Sequence, residues 1–241
     1  MLRYKAMFIK CMSFAGLAMI LSLPLVYAED THGGDTFHAF DLEIGIGATD
    51  DGSNFSDWDF DGWIGSDENK IWLKSEGERS NSETEQAEFW AMYSRNIDKF
   101  WDLQVGIRHD TQPHSLTYAV VGFDGLAPYF FETEAHLFVS EDGDFSARLR
   151  QEKELLFTPI LIAEPYFEIE FHAQDVSELD IGAGFSSIEL GIQTLYEITR
   201  SVAPYLEIKY ERKLGETSSI ARRNNEDSGA LIGTLGLSLL F

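Results

Sequence analysis

The sequence predicts an all-β chain that closes into an antiparallel transmembrane outer-membrane β-barrel of about twelve strands, within a range of roughly 10–14. Three observations carry this. Apolar and polar residues alternate at period two along nearly the whole chain after residue 38. The connections between alternating segments are unequal, and the longest two fall at odd positions in the series. The last segment alternates to its end at Phe241.

Composition narrows the class. The 241 residues include 41 acidic and 18 basic ones, a formal charge of −23. Nucleic acid is excluded as a partner, because phosphate binding needs a basic footprint. Hydrophobic residues at 44% are too many for a disordered chain. A mean hydropathy of −0.16 argues against a polytopic helical membrane protein. One cysteine allows no disulfide framework.

Residues 1–28 read as a signal peptide. Arg3, Lys5 and Lys10 form a basic start, and the apolar run Cys11–Val26 is shorter than the ~18–20 residues of a spanning helix. Val26-Tyr27-Ala28 suits signal peptidase, so cleavage is expected after Ala28. Removing three of the 18 basic residues leaves 15 against 41 acidic ones, a net −26. The expected mature chain has no cysteine, and Met92 is its one methionine. Residues 29–38 are expected to form a short periplasmic tail, and 39–241 the barrel.

Twelve segments alternate: 38–49, 55–64, 70–79, 85–95, 100–110, 115–124, 129–140, 144–156, 160–172, 186–199, 202–213 and 228–241. Each is near or above the ~9–11 residues that cross a bilayer as a tilted strand. Connections four, eight and ten are short (Asn96–Lys99, Phe157–Pro159, Arg200–Ser201), whereas nine and eleven are long (Ala173–Phe185, Leu214–Asp227). Outer-membrane barrels have short periplasmic turns and longer external loops, so odd connections face outward if the chain enters from the periplasm. In the last segment Leu235, Leu237, Leu239 and Phe241 share one face, resembling the signal read by the barrel assembly machinery. Trp58, Trp63, Trp72, Trp90, Phe100, Trp101, Tyr129, Phe130 and Phe131 fall mostly near segment ends, as aromatic girdles require.

With apolar positions facing lipid, their neighbours face the lumen. Segment seven then points Glu132, Glu134 and His136 inward, segment eight Arg148, Arg150, Glu152 and Glu154, and segment nine Glu164, Tyr166, Glu168, Glu170 and His172. Glu141-Asp142-Gly143 suits a three-residue hairpin loop that pairs Ser140 with Asp144. Glu134 then meets Arg150, and His136 meets Arg148. A three-residue loop at Phe157–Pro159 places Arg148 beside Glu168. The result is a ladder of opposite charges on the wall, structural in its bland reading. The sharper reading is a cation path, with Glu168, Glu170 and His172 lacking evident basic partners, and with His136 as a further lumen ligand.

Other chemistry is sparse. His32, Asp35 and His38 could converge on one ion, because Gly33-Gly34 permits tight bending. Imidazole with carboxylate suits Cu(II), Ni(II) or Zn(II), whereas Cu(I) prefers sulfur; a solvated tail is the plainer reading. His109 and His114 flank an external loop with Asp110, Thr111 and Ser115 nearby, but no nucleophile elbow occurs, so no enzyme is expected. Arg212, Lys213, Arg222 and Arg223 around connection eleven could contact lipopolysaccharide phosphates, or be balanced by Glu211, Glu216, Glu226 and Asp227.

Several collinear blocks carry a resemblance: IWLKSEGE (71–78), FWDLQVGIRHD (100–110), GLAPYFFE (125–132), VSEDGDFSARL (139–149), IGAGFSSIELGIQTLYEI (181–198) and APYLEIKYERKLGET (203–217). Together they resemble the copper resistance protein B family of outer-membrane proteins. The resemblance implies a barrel in the Gram-negative outer membrane that works in copper resistance, alongside periplasmic copper-handling proteins and among outer-membrane lipids and lipopolysaccharide. Family members often have a longer His- and Met-rich N-terminal region. Here His32, Asp35 and His38 match its acidic, His-containing end, and no methionine remains, which shifts the expected ion towards Cu(II). Copper is expected as a ligand, bound or passed, rather than as a catalytic cofactor. The competing expectation is a general pore or structural barrel without a metal role.

Overall fold

The computed structural model describes residues 36–241. Their strands are β1 (Phe37–Thr49), β2 (Asn54–Gly65), β3 (Asn69–Ser80), β4 (Glu83–Asp98), β5 (Trp101–Gln112), β6 (Leu116–Ala127), β7 (Phe131–Ser140), β8 (Phe145–Glu152), β9 (Leu155–Thr158), β10 (Leu161–His172), β11 (Gly184–Tyr196), β12 (Val202–Lys213) and β13 (Gly229–Leu240). All belong to one antiparallel sheet. Both β8 and β9 pair with β10, so they are two pieces of one barrel strand interrupted at Lys153-Glu154. The thirteen strands therefore make a closed barrel of twelve.

Closure is made by β1 and β13, with Ile44 opposite Leu237 and Ile46 opposite Leu235. The Phe241 amide donates to the Phe40 carbonyl at 2.9 Å beyond the end of β13. A closed sheet leaves no edge strand, which lipid would leave without hydrogen-bond partners. Alternation assigns the faces as the sequence predicts. Ile46 is 69% and Leu235 63% exposed on the outer wall, while Thr234 beside Leu235 is buried within.

Twelve strands place both ends of the barrel chain at one mouth. The connections after β1, β3, β5, β7, β10 and β12 share the other mouth, including the two longest. One of these holds a single 3-10 turn, Ser177–Leu179, and the other the helix α1, Gly215–Arg223. The helix is not legible as a stripe in the sequence. It is held by Thr217, whose hydroxyl accepts from the Gly182 amide at 3.0 Å and so ties the two long connections together.

The aromatic residues divide. Phe100, Tyr129 and Phe130 are 58%, 80% and 76% exposed at the short-turn mouth, as a girdle requires. Trp63, Trp72 and Trp90 depart from the girdle: they sit on the inward positions of β2, β3 and β4. Trp90 packs with Met92, Leu116, Tyr118, Val120 and Phe138 in a buried apolar cluster inside the lumen. The physical reason is space. Lumen-facing side chains of a small barrel must fill its interior, and large rings do so with few rotamers to restrict. Glycines complete the fit: the Tyr166 ring lies where a Cβ on Gly191 would be, 2.4 Å away.

Candidate functional site

The lumen is built by inward side chains that reach across it. Arg148 on β8 is the hub. Its guanidinium lies 2.6 Å from Glu76 on β3, 3.0 Å from Glu88 on β4, and 2.9 and 3.4 Å from Glu170 and Glu168 on β10. Glu88 is 2% exposed and also holds Arg108 at 2.8 Å. Arg108 is paired with Asp110 at 2.6 Å, and its guanidinium carbon lies 4.8 and 5.1 Å from the rings of Tyr118 and Phe138. A buried charge network of this kind is tolerated only when each ion has partners.

Three further contacts cross the lumen. Lys209 on β12 meets Glu78 on β3 at 2.5 Å and Glu211 at 2.9 Å. Lys74 on β3 bridges Asp61 and Glu134, at 2.8 and 2.7 Å, the latter on β7. The Gln193 amide on β11 donates to both carboxylate oxygens of Glu43 on β1, at 3.0 and 2.9 Å. The Tyr166 hydroxyl lies 2.7 Å from Glu189 and 2.6 Å from Glu207.

Two cavities stand out among the described residues. A vestibule of about 710 Å³ opens among the longer connections and runs inward to Glu43 and Tyr205. Sixteen of its lining residues are Asp or Glu and six are Lys or Arg. A smaller cavity of about 170 Å³, lined by Asp124, Glu132, Glu134 and Glu152 among others, lies towards the short-turn mouth. Arg150 lines both. At the vestibule rim, hydrogen bonds from the Thr49 hydroxyl and from Ser53 hold the Asp51 carboxyl below its ordinary range, so it stays charged. The vestibule is thus an acidic well with fixed internal cations, suited to concentrating small cations.

The family model for the copper resistance protein B precursor matches residues 38–241. The chain belongs to the copper resistance protein B family. It is 42% identical over 194 residues to copper resistance protein B of Escherichia coli, covering 80% of this chain and 65% of that protein. It is 37% identical over 192 residues to the copper resistance protein B homolog of Pseudomonas syringae pv. tomato, covering 79% of this chain and 65% of that one. The chain therefore spans 65% of the length of each of these relatives. Among solved structures, the NanC porin superposes with a TM-score of 0.58 at 13% identity, covering 82% of this chain and 98% of that one. The KdgM porin gives 0.54 at 9%, covering 83% and 98%. At such identities the likeness is one of fold. This member of the copper resistance protein B family is an outer-membrane barrel.

Against this frame of strands, the residues singled out from the sequence scatter. His32 and Asp35 lie outside the described residues. His38 is exposed and stands on β1 opposite Ile64, because the strand begins at Phe37, inside the expected tail. In the lumen, Glu168, Glu170 and His172 line the vestibule. His136 does not; its Nε2 lies 2.9 Å from the Gln104 side-chain oxygen, and Trp90 packs edge-on against its ring. The His172 Nδ1 lies 3.0 Å from the Ser186 hydroxyl. Among the described residues, no three His, Cys, Asp or Glu side chains form a group placed to hold a metal ion.

Two expectations are corrected. Glu168 and Glu170 do not lack basic partners, since both pair with Arg148. The residue opposite Arg148 on β10 is Glu170, not Glu168, which instead faces Arg150. The slip arises at the hairpin: Thr158 pairs with Leu161 across a two-residue turn, with an irregularity between Leu161 and Ile162, where a three-residue loop was expected. The other hairpin holds, with Glu134 opposite Arg150 and His136 opposite Arg148.

The remaining candidates separate as well. The His109 Nδ1 lies 3.1 Å from Thr117 on the outer face, whereas Asp110, one residue on, points inward to Arg108. Alternation thus sends the two members of a would-be relay to opposite sides. Of the basic cluster, Lys213 pairs with Glu226 and Arg223 with Glu216, both at 3.0 Å. Sequence reasoning missed Glu76, Glu88, Arg108 and Lys209. Their inward phase on β3, β4, β5 and β12 was readable, but not their meeting across the barrel.

Proposed function

We propose that the protein contributes to copper tolerance by binding or passing copper ions at the outer membrane. The observation that carries this reading is the vestibule wall, with sixteen acidic against six basic residues, in a barrel of the copper resistance protein B family. A wall with that imbalance raises the local concentration of any small cation, and fixed internal cations keep binding weak enough for release. Within the vestibule, His172 and Glu170 are the proposed lumen contacts for the ion, with Glu168 beside them. The tail set His32, Asp35 and His38 is the proposed capture site, because nitrogen and carboxylate donors favour Cu(II). His136, packed against Trp90, is the least accessible of the proposed lumen ligands.

A clean deletion strain grown across graded copper, with zinc and nickel as controls, tests the reading. Sensitivity to copper alone, restored by the wild-type gene, is the expected result. Equal growth of deletion and parent strains under all three metals would overturn the copper assignment and leave a general pore as the better description.

A further inference from the structure

We propose that Arg150 is the residue that controls ion passage between the two lumen cavities, and that its charge opposes cations there. The inference rests on the passage half of the function proposed above. The vestibule and the inner cavity share Arg150 as their one common lining residue. The Arg150 side chain therefore borders both chambers, and an ion moving from one to the other along this wall meets its guanidinium. Both chambers are acidic, so a cation is stabilised on either side and meets a fixed positive charge between them.

The side chain is held as a movable group would be. Its guanidinium carbon lies 4.3 Å from the Tyr166 ring, and its ion pairs with Glu152 and Glu168 are long, at 3.3 and 3.9 Å. The Arg150 side chain is 33% exposed, whereas that of Arg148, two residues away, is 9% exposed and has four carboxylates at 3.4 Å or closer. Tyr166, in contrast, is a fixed platform, because its hydroxyl is held by Glu189 and Glu207. Arg148 is thus a strut and Arg150 a door. Rotation of the Arg150 stem off Tyr166 costs two weak ion pairs and one stacking contact.

The test is conductance of the full chain in planar bilayers bathed in KCl, without copper. Arg150→Ser should raise single-channel conductance roughly twofold or more and move the reversal potential in a salt gradient towards cation selectivity. Arg150→Lys keeps the charge, so its reversal potential should stay with the wild type. Lys153→Gln removes a nearby charge that lies over Phe131 outside both cavities, and should change neither reading. Heat-modifiable migration reports assembly of each variant. If Arg150→Ser does not assemble, Arg150→Gln keeps the side-chain length and carries the same expectation. Equal conductance and reversal potential in wild type and the neutral variant would overturn the proposal, as would an equal shift from Lys153→Gln. Because no copper is present, a deletion strain indifferent to copper would sink the proposed function while leaving this result standing.

Discussion

Arg148 and Glu88 meet at 3.0 Å although their strands, β8 and β4, are four places apart around the barrel wall. The contact is a strut across the lumen. Glu88 is 2% exposed, so removing its cation would leave a carboxylate with little water and only Arg108 to balance it. Arg148→Met should therefore lower stability by about 3–5 kcal/mol. Adding Glu88→Gln should cost less than the sum, with a coupling of about 1–3 kcal/mol in the double-mutant cycle. Urea titration of the barrel in lipid vesicles, followed by tryptophan fluorescence, reads both quantities. Additive effects would show that the two residues do not share one network.

Glycine placement makes a second prediction. A Cβ on Gly191 would meet the Tyr166 ring at 2.4 Å, whereas a Cβ on Gly233 meets nothing within 4 Å. Gly191→Val should push Tyr166 out of its seat, loosen its bonds to Glu189 and Glu207, and cost about 1–3 kcal/mol. Gly233→Val, on the outer face of β13, should be neutral or stabilising, since a β-branched residue suits an extended strand. The same urea titration decides it, and equal costs for the two would mean that the Tyr166 seat does not hold.

Period-two alternation made most of this barrel readable, because burial on one face and lipid on the other leave a strand one acceptable phase. That is why Leu42, Ile44 and Ile46 point outward and Glu43 inward as expected. Local turn chemistry carried the register of β7 and β8, where Gly143 adopts φ +90° and Ser140 accepts from and donates to the loop. It failed at β9–β10, where Pro159-Ile160 closes a tighter turn and shifts Arg148 from Glu168 to Glu170. Contacts such as Lys209 with Glu78 were out of reach for a different reason. They depend on barrel tilt and stagger, which bring residues 131 positions apart together and leave no local trace. The inward Trp90 was misread because an aromatic residue near a strand end fits a lipid interface and a filled lumen equally well.

The acidic side of the vestibule yields the last prediction. Asp57, Asp59 and Glu207 line it, and one carboxylate oxygen of Asp57 is buried without a hydrogen-bond partner. Glu207 accepts only from the Tyr166 hydroxyl among its hydrogen bonds. None of the three carboxylates takes part in an ion pair among the described residues, and the amide oxygen introduced by Glu207→Gln can still accept from Tyr166, so the triple variant Asp57→Asn, Asp59→Asn, Glu207→Gln should assemble as a barrel, with the unpartnered Asp57 oxygen relieved of its charge. It should lose cation selectivity in bilayers, and a deletion strain carrying it should grow less well on copper than one carrying the wild-type gene. The selectivity loss should be largest at low ionic strength, because at about 0.1 M salt a charge is screened beyond ~10 Å and the wall acts only on ions already beside it. Reversal potentials measured at several salt concentrations separate the possibilities. A variant that keeps wild-type selectivity at low salt would mean that the excess carboxylates of the vestibule serve packing and folding rather than the ions passing over them.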